Sequence, residues 1–236
     1  DNPPLHGASV FAQLLQERGV TIAGGTSAGV APAGSVEITS INSPPLTDLA
    51  THINSYSSNI GAELLLKRVG LERLGVGSTE AGAQVMTEML TERGLPMTDI
   101  VLTDGSGLSE DNRLTCNLIA ALLANEGPDT ELGNSFAIGG VRGSLMDRFV
   151  DAPADGLVLA KTGTLQGVRS LSGYVRSATA ELTEDRYLSF AQILNDDDVV
   201  EDELVVAAQD DLVNALVTYP AGPSIEELSP SAATPG

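Results

Sequence analysis

The stretch LVLAKTGTLQGVRSLSGYV, residues 157–175, constrains the fold more than any other. An apolar run, Leu157 to Ala160, leads directly into Lys161-Thr162-Gly163-Thr164. A second run, VRSLSGYV, follows at 168–175, and a third, RYLSFAQIL, at 186–194. Short apolar runs bounded by glycine or polar turns read as strands. Strands gathered late in the chain, behind a helical middle, predict an α+β fold or αβα sandwich, with an antiparallel sheet packed with helices. Lys161 is one of only two lysines among 236 residues, the other being Lys67. A scarce amine at the mouth of a buried strand is the first candidate for chemistry.

Upstream the patterns are mostly helical. ASVFAQLLQERG (8–19) carries Val10, Phe11, Leu14 and Leu15 at helical spacing before a glycine stop. Two proline residues, Pro44 and Pro45, open NSPPLTDLATHINSYS (42–57), and NIGAELLLKRV (59–69) follows. Ser78 caps STEAGAQVMTEMLTERG (78–94), and Thr115 caps TCNLIAALLANEG (115–127), with Leu118, Ile119, Leu122 and Leu123 on one stripe. Strands are expected at VTIAGG (20–25), VEITSI (36–41) and DIVLT (99–103). The segment 126–156 reads as irregular, with a short helix around GSLMDRFV (143–150). A final helix is expected over 203–217, after the acidic loop NDDDVVED, and 220–236 as a flexible tail.

Charge excludes whole classes of partner. The net charge is −20, which opposes nucleic acid and anionic membrane surfaces, since phosphate binding needs clustered Lys and Arg. No apolar run approaches the roughly 20 residues of a membrane helix. No charged-then-apolar leader opens the sequence. His6 and His52 stand far apart without a zinc pattern, so no metal is expected. The single cysteine, Cys116, permits no internal disulfide and is expected as a buried core thiol.

Three short constellations carry polar chemistry. Lys161-Thr162-Gly163-Thr164 presents an ammonium, two hydroxyls and an unobstructed backbone, a set able to bind a carboxylate and donate to a developing oxyanion. Alone it also fits an ordinary strand with an exposed lysine. Ser57 and Asn59 sit at a helix junction, where a cap is the plainer reading. Asp104-Gly105-Ser106-Gly107 opens DGSGLSEDNRL and reads equally as a turn, its aspartate accepting backbone N–H groups.

Their order changes the reading. Ser57-Ser58-Asn59 precedes Lys161-Thr162-Gly163 as S-x-N precedes K-T-G in the penicillin-recognising serine enzymes. SPPLTDLATHINSYSSNIGAELLLKRVG, LTDGSGLSEDNRLT and AKTGTLQGVRSLSGYV together resemble the class C low-molecular-weight penicillin-binding proteins, the D-alanyl-D-alanine carboxypeptidase/endopeptidase family. The likeness runs from about residue 5 to residue 217.

That resemblance implies a penicillin-binding-protein/β-lactamase-like transpeptidase core acting on peptidoglycan stem peptides and β-lactams through an acyl-enzyme. Ser57 would pass a proton to the leaving group, and Asn59 would contact the substrate amide. Lys161 would set the local field, Thr162 would hold the substrate carboxylate, and the Thr164 N–H would be half of the oxyanion hole. Gly163 lets a substrate backbone approach closely. No cofactor is implied, and the substrate implies an extracytoplasmic place: periplasmic, wall-associated or secreted.

The sequence departs from the family pattern in one decisive respect. Leu64 stands three residues before Lys67 and Val158 three before Lys161, so S-x-x-K is missing. Residues 1–219 therefore read as the C-terminal portion of the domain, incomplete in this chain, whose partner is the missing N-terminal portion, and the isolated chain is expected to be inactive. Glu110 replaces a frequent arginine, and Ser58 a frequent aspartate. Tyr56 does not stand where a Tyr-x-Asn site needs it. The rival readings are a β-lactamase and a catalytically inactive wall-binding module of the same fold.

Overall fold

The computed structural model describes residues 2–177, 187–196 and 203–220. The chain divides into two compact units, Asp1–Ser43 and Pro44–Gly236.

The first unit holds one helix, α1 (Pro3–Glu17), with a proline in its first turn and Asn2 accepting from the Leu5 N–H at 3.1 Å. It starts earlier than the apolar pattern suggests, because the Asn-Pro-Pro opening is itself a helix start. Neither VTIAGG nor VEITSI forms a strand, and Val36, Ile38 and Ile41 are exposed. A strand exists only against a neighbour that takes its N–H and C=O groups, and neither segment has one within this unit.

The second unit begins with two helix pairs. Helix α2 (Leu46–Tyr56) ends at Ser57, and α3 (Asn59–Leu74) starts immediately after its cap, Ser58. Helix α4 (Thr79–Glu92) is capped by Ser78 and crosses α3 through glycines. A Cβ on Gly82 would strike the Leu66 carbonyl oxygen, so only glycine lets the two backbones approach this closely. Helix α5 (Cys116–Glu126) follows, capped by Thr115, and then a single short turn, α6 (Glu131–Ser135).

The sheet has four antiparallel strands in sequential order: β1 (Ala137–Ile138), β2 (Val158–Leu165), β3 (Val168–Arg176) and β4 (Tyr187–Asn195). Helix α7 (Glu203–Val217) closes the described chain. Alternation along the strands builds a core on each face. Val158, Ala160, Leu171 and Val175 pack with Val213 and Val217 of α7. Tyr174, with Leu159 packed beside it, meets Leu123 of α5 on the other face, where the Tyr174 hydroxyl donates to the Leu123 carbonyl at 2.8 Å. The α+β expectation holds: a sheet between α7 and α5.

Three further expectations fail locally. DIVLT makes only an isolated bridge, Val101 to Arg113, because the Thr103 N–H is taken by the Asn112 side chain at 2.9 Å. The helix at GSLMDRFV shrinks to a 3-10 turn, Gly143–Leu145, which starts on left-handed Gly143 and is followed by left-handed Phe149. Cys116 is exposed, not buried. It stands two residues before Leu118, about 200° around the helix from the buried stripe. The tail from 221 onward lies outside the described residues.

Candidate active site

Ser57 reaches the site by a strained turn. It is the left-handed C-cap of α2, at φ 58° and ψ 50°, a conformation costly for a residue with a Cβ. The strain is held by its surroundings. Two residues earlier, buried Ser55 donates to the Ser135 carbonyl at 2.9 Å, and the neighbouring Asn54 amide donates to the Ser135 hydroxyl at 2.6 Å. A Cβ on Gly143 would meet the Ser55 carbonyl oxygen, and Gly143 has φ 72°. The end of α2 is thus clamped between α6 and the 3-10 turn.

Lys161 comes from the far end of the sequence. Its Nζ donates to the Ser57 hydroxyl at 2.8 Å and to the Thr162 carbonyl at 2.6 Å. Burial pushes its amine below the ordinary lysine value, since a desolvated ammonium is disfavoured. Ser57 and Lys161, singled out from the sequence, are therefore in direct contact. Asn59, the first residue of α3, is exposed two positions beyond Ser57.

The edge of β2 is open where the motif lies. Strand β1 covers only Leu159 and Ala160, and the Gly139 N–H donates to the Val158 carbonyl at 3.0 Å on that side. Backbone groups alternate between the two edges of a strand. The N–H groups of Thr162 and Thr164 consequently point to the same edge as Val158, past the end of β1. Thr162 also joins its hydroxyl to that of Ser144 at 2.9 Å. Thr164, Arg169 and Gln209 line a cavity of about 190 Å³ with Ser144 and Thr162. Within it the Arg169 guanidinium donates to the Thr164 hydroxyl at 3.1 Å.

The Asp104 turn docks on the helix that carries Asn59. Glu63, one turn into α3, accepts the backbone N–H groups of Gly105 at 2.6 Å and Ser106 at 3.1 Å. A Cβ on Gly105 would lie 2.7 Å from the Ala62 carbonyl oxygen. Asp104 accepts from the N–H groups of Gly107, Leu108 and Ser109 and from the Asn112 amide. Burial raises the affinity of its carboxyl for a proton, but hydrogen bonds from Asn112, Ser106, Ser109 and Gly107 outweigh this and hold it below the usual carboxylate range. The turn thus fixes the start of α3 and contributes no side chain to the Ser57–Lys161 contact.

Sequence reasoning missed Ser144, Arg169, Ser55 and Glu63. Ser144 and Ser55 act through contacts about 18 and 80 positions away in the chain, for which a single sequence carries no signal. Arg169 was findable: it stands opposite Thr164 once the two strand runs are paired antiparallel.

Comparison with known proteins identifies the family and the fold. The D-Ala-D-Ala carboxypeptidase 3 (S13) family profile matches residues 1–217. A D-alanyl-D-alanine carboxypeptidase from Actinomadura sp. is 34% identical over 193 residues, covering 77% of this chain and 36% of that protein. The carboxypeptidase Rv3627c of Mycobacterium tuberculosis is 32% identical over 175 residues, 70% of this chain and 37% of that one. The fold matches penicillin binding protein 4 from Haemophilus influenzae with a TM-score of 0.76 at 25% identity, over 93% of this chain and 50% of that one. The chain thus spans little more than a third of the curated relatives it resembles and half of the solved one. By its profile match and its relatives, the chain belongs to the D-Ala-D-Ala carboxypeptidase 3 (S13) family.

Proposed function

We propose that this chain supplies the Ser-x-Asn and Lys-Thr-Gly half of a serine-type D-Ala-D-Ala carboxypeptidase/endopeptidase that acts on peptidoglycan stem peptides outside the cytoplasm and is acylated by β-lactams. The observation that carries the reading is the hydrogen bond from Lys161 Nζ to Ser57 Oγ, made at the open edge of β2. The reacting serine and its S-x-x-K lysine come from outside these 236 residues, in the N-terminal portion with which this chain completes the site.

The chemistry divides one acyl transfer into two steps. The serine oxygen attacks the carbonyl carbon of the penultimate D-alanine as its proton passes to the S-x-x-K lysine. The carbonyl oxygen becomes an oxyanion, stabilised by the Thr164 N–H; a single such donor elsewhere is worth about 3–4 kcal/mol. The C–N bond then breaks, and the leaving amine takes a proton relayed through the Ser57 hydroxyl. Water cleaves the resulting ester. Lys161 supplies positive charge beside Ser57, Asn59 binds the substrate amide, and Thr162 takes the terminal carboxylate over the open backbone of Gly163. The net charge of −20 repels an anionic substrate at long range, so the local ammonium must dominate within the groove.

The test is D-alanine release from a stem pentapeptide by the full-length protein, with labelling by a fluorescent penicillin. The full-length protein should do both, and the isolated 236-residue chain should take no label. Labelling of the isolated chain overturns the division of the site. A full-length protein that binds muropeptide without hydrolysis is the inactive wall-binding module instead.

A further inference from the structure

We propose that Ser135 is a positioning residue: it fastens the end of α2 to the strand beside β2, and through that link it sets the contact between Ser57 and Lys161. The assignment rests on the peptidase reading above and extends it to a buried residue outside the three motifs.

A closed ring of short links joins the two motif residues. Ser55 stands two positions before Ser57, and its hydroxyl donates to the Ser135 carbonyl at 2.9 Å. Ser135 stands two positions before Ala137, which pairs with Ala160, the neighbour of Lys161. The hydrogen bond from Lys161 to Ser57, at 2.8 Å, closes the ring. Ser135 is where the ring crosses from helix to sheet.

The crossing point is held from several sides. Ser135 is 1% exposed. Its hydroxyl donates to the Leu132 carbonyl at 2.6 Å, which leaves the oxygen free to accept from the Asn54 amide, also at 2.6 Å. Arg142 donates to the carbonyls on either side of it, Asn134 at 2.8 Å and Phe136 at 2.6 Å.

What this rigidity holds is a turn that would otherwise relax. The N–H groups of Ser57 and Ser58 both donate to the Ile53 carbonyl, in the same turn that Asn54 and Ser55 anchor. A side-chain-bearing residue at φ 58° persists where its surroundings over-determine it. Freed of its anchor, Ser57 can return to an ordinary backbone, and its hydroxyl leaves Lys161.

The experiment uses the full-length protein carrying Ser135→Ala or Asn54→Ala, each in the wild-type and the Ser57→Ala backgrounds. Acylation by a saturating fluorescent penicillin is measured beside thermal unfolding. With Ser57 present, Ser135→Ala should slow acylation by roughly 10- to 100-fold, the scale of a small misplacement at a reacting centre. In Ser57→Ala it should slow acylation further by less than about twofold, because the residue it positions is gone. The fall in melting temperature should be the same in both backgrounds, which a purely structural role would share and the rate difference would not. Asn54→Ala breaks the same bond from the helix side, where alanine is favoured, and should show the same pattern even if Ser135→Ala does not fold. Equal slowing in both backgrounds, or none with Ser57 present, overturns the assignment. A wild-type full-length protein that takes no label overturns the peptidase reading, and the assignment falls with it.

Discussion

Lys161 and Ser57, 104 positions apart in the chain, share a hydrogen bond of 2.8 Å. The contact ties the sheet to the helix junction, and it makes each residue's effect depend on the other. In the full-length protein, Lys161→Ala and Ser57→Ala should each cut the rate of penicillin acylation by about 10²- to 10³-fold, the scale of one lost electrostatic partner. The double variant should lose much less than the product of the two, because residues in contact are not additive. Stopped-flow acylation of the four proteins measures the coupling, and strict additivity would refute it.

Burial sets the pH range of the same lysine. Its amine gives up its proton at lower pH than an exposed lysine. If the cation supplies the field, acylation should decline as pH rises through that lowered value. Lys161→Arg, which stays charged, should abolish the alkaline limb even where the absolute rate is poorer. A pH–rate profile whose alkaline limb is unchanged in Lys161→Arg assigns that limb to another group.

Asp104 governs stability in acid. Its folded pKa lies below the unfolded value, so its contribution is present above the unfolded value and disappears as pH falls through the folded one. Asp104→Asn turns one of the two carboxylate oxygens into an amide donor, which forfeits either the Oδ1 bonds from the Gly107 N–H and the Asn112 amide or the Oδ2 bonds from the Leu108 and Ser109 N–H groups. It should destabilise the protein by about 1–2 kcal/mol at neutral pH. The difference from wild type should shrink in acid, as denaturant titrations at pH 7 and pH 3 would show.

Gly143 is the contact point between the 3-10 turn and α2. Gly143→Ala would need φ 72° and would press its methyl on the Ser55 carbonyl. A loss of roughly 2–3 kcal/mol is expected from strain and overpacking. Thermal unfolding measures it. Thr162→Val, which removes only the Ser144 hydrogen bond and a hydroxyl, should leave the melting temperature nearly unchanged.

The sheet and the capped helices were legible because their signals are local: short apolar runs bounded by turns within 157–175, and Ser78 and Thr115 placed at the helix starts. Ser57 and Lys161 were legible as a pair through motif order. The segments 20–25 and 36–41 have strand composition but no neighbour, and composition cannot reveal a neighbour. DIVLT lost its ladder to a side chain, Asn112, that a propensity reading treats as mere turn. Cys116 was misplaced because a helical stripe has an opposite side, and Leu118 and Leu123 define the buried one. Ser144 and Arg169 enter the site through the 3-10 turn and the hairpin register, both products of the assembled unit.

The left-handed backbone at Ser57 has a consequence for anyone who improves this protein by selection. Glycine is the residue most at ease in that geometry, and it would relax roughly 1 kcal/mol. It would also delete the one hydroxyl that greets Lys161. A screen that rewards heat resistance and a screen that rewards turnover should therefore choose opposite letters at position 57.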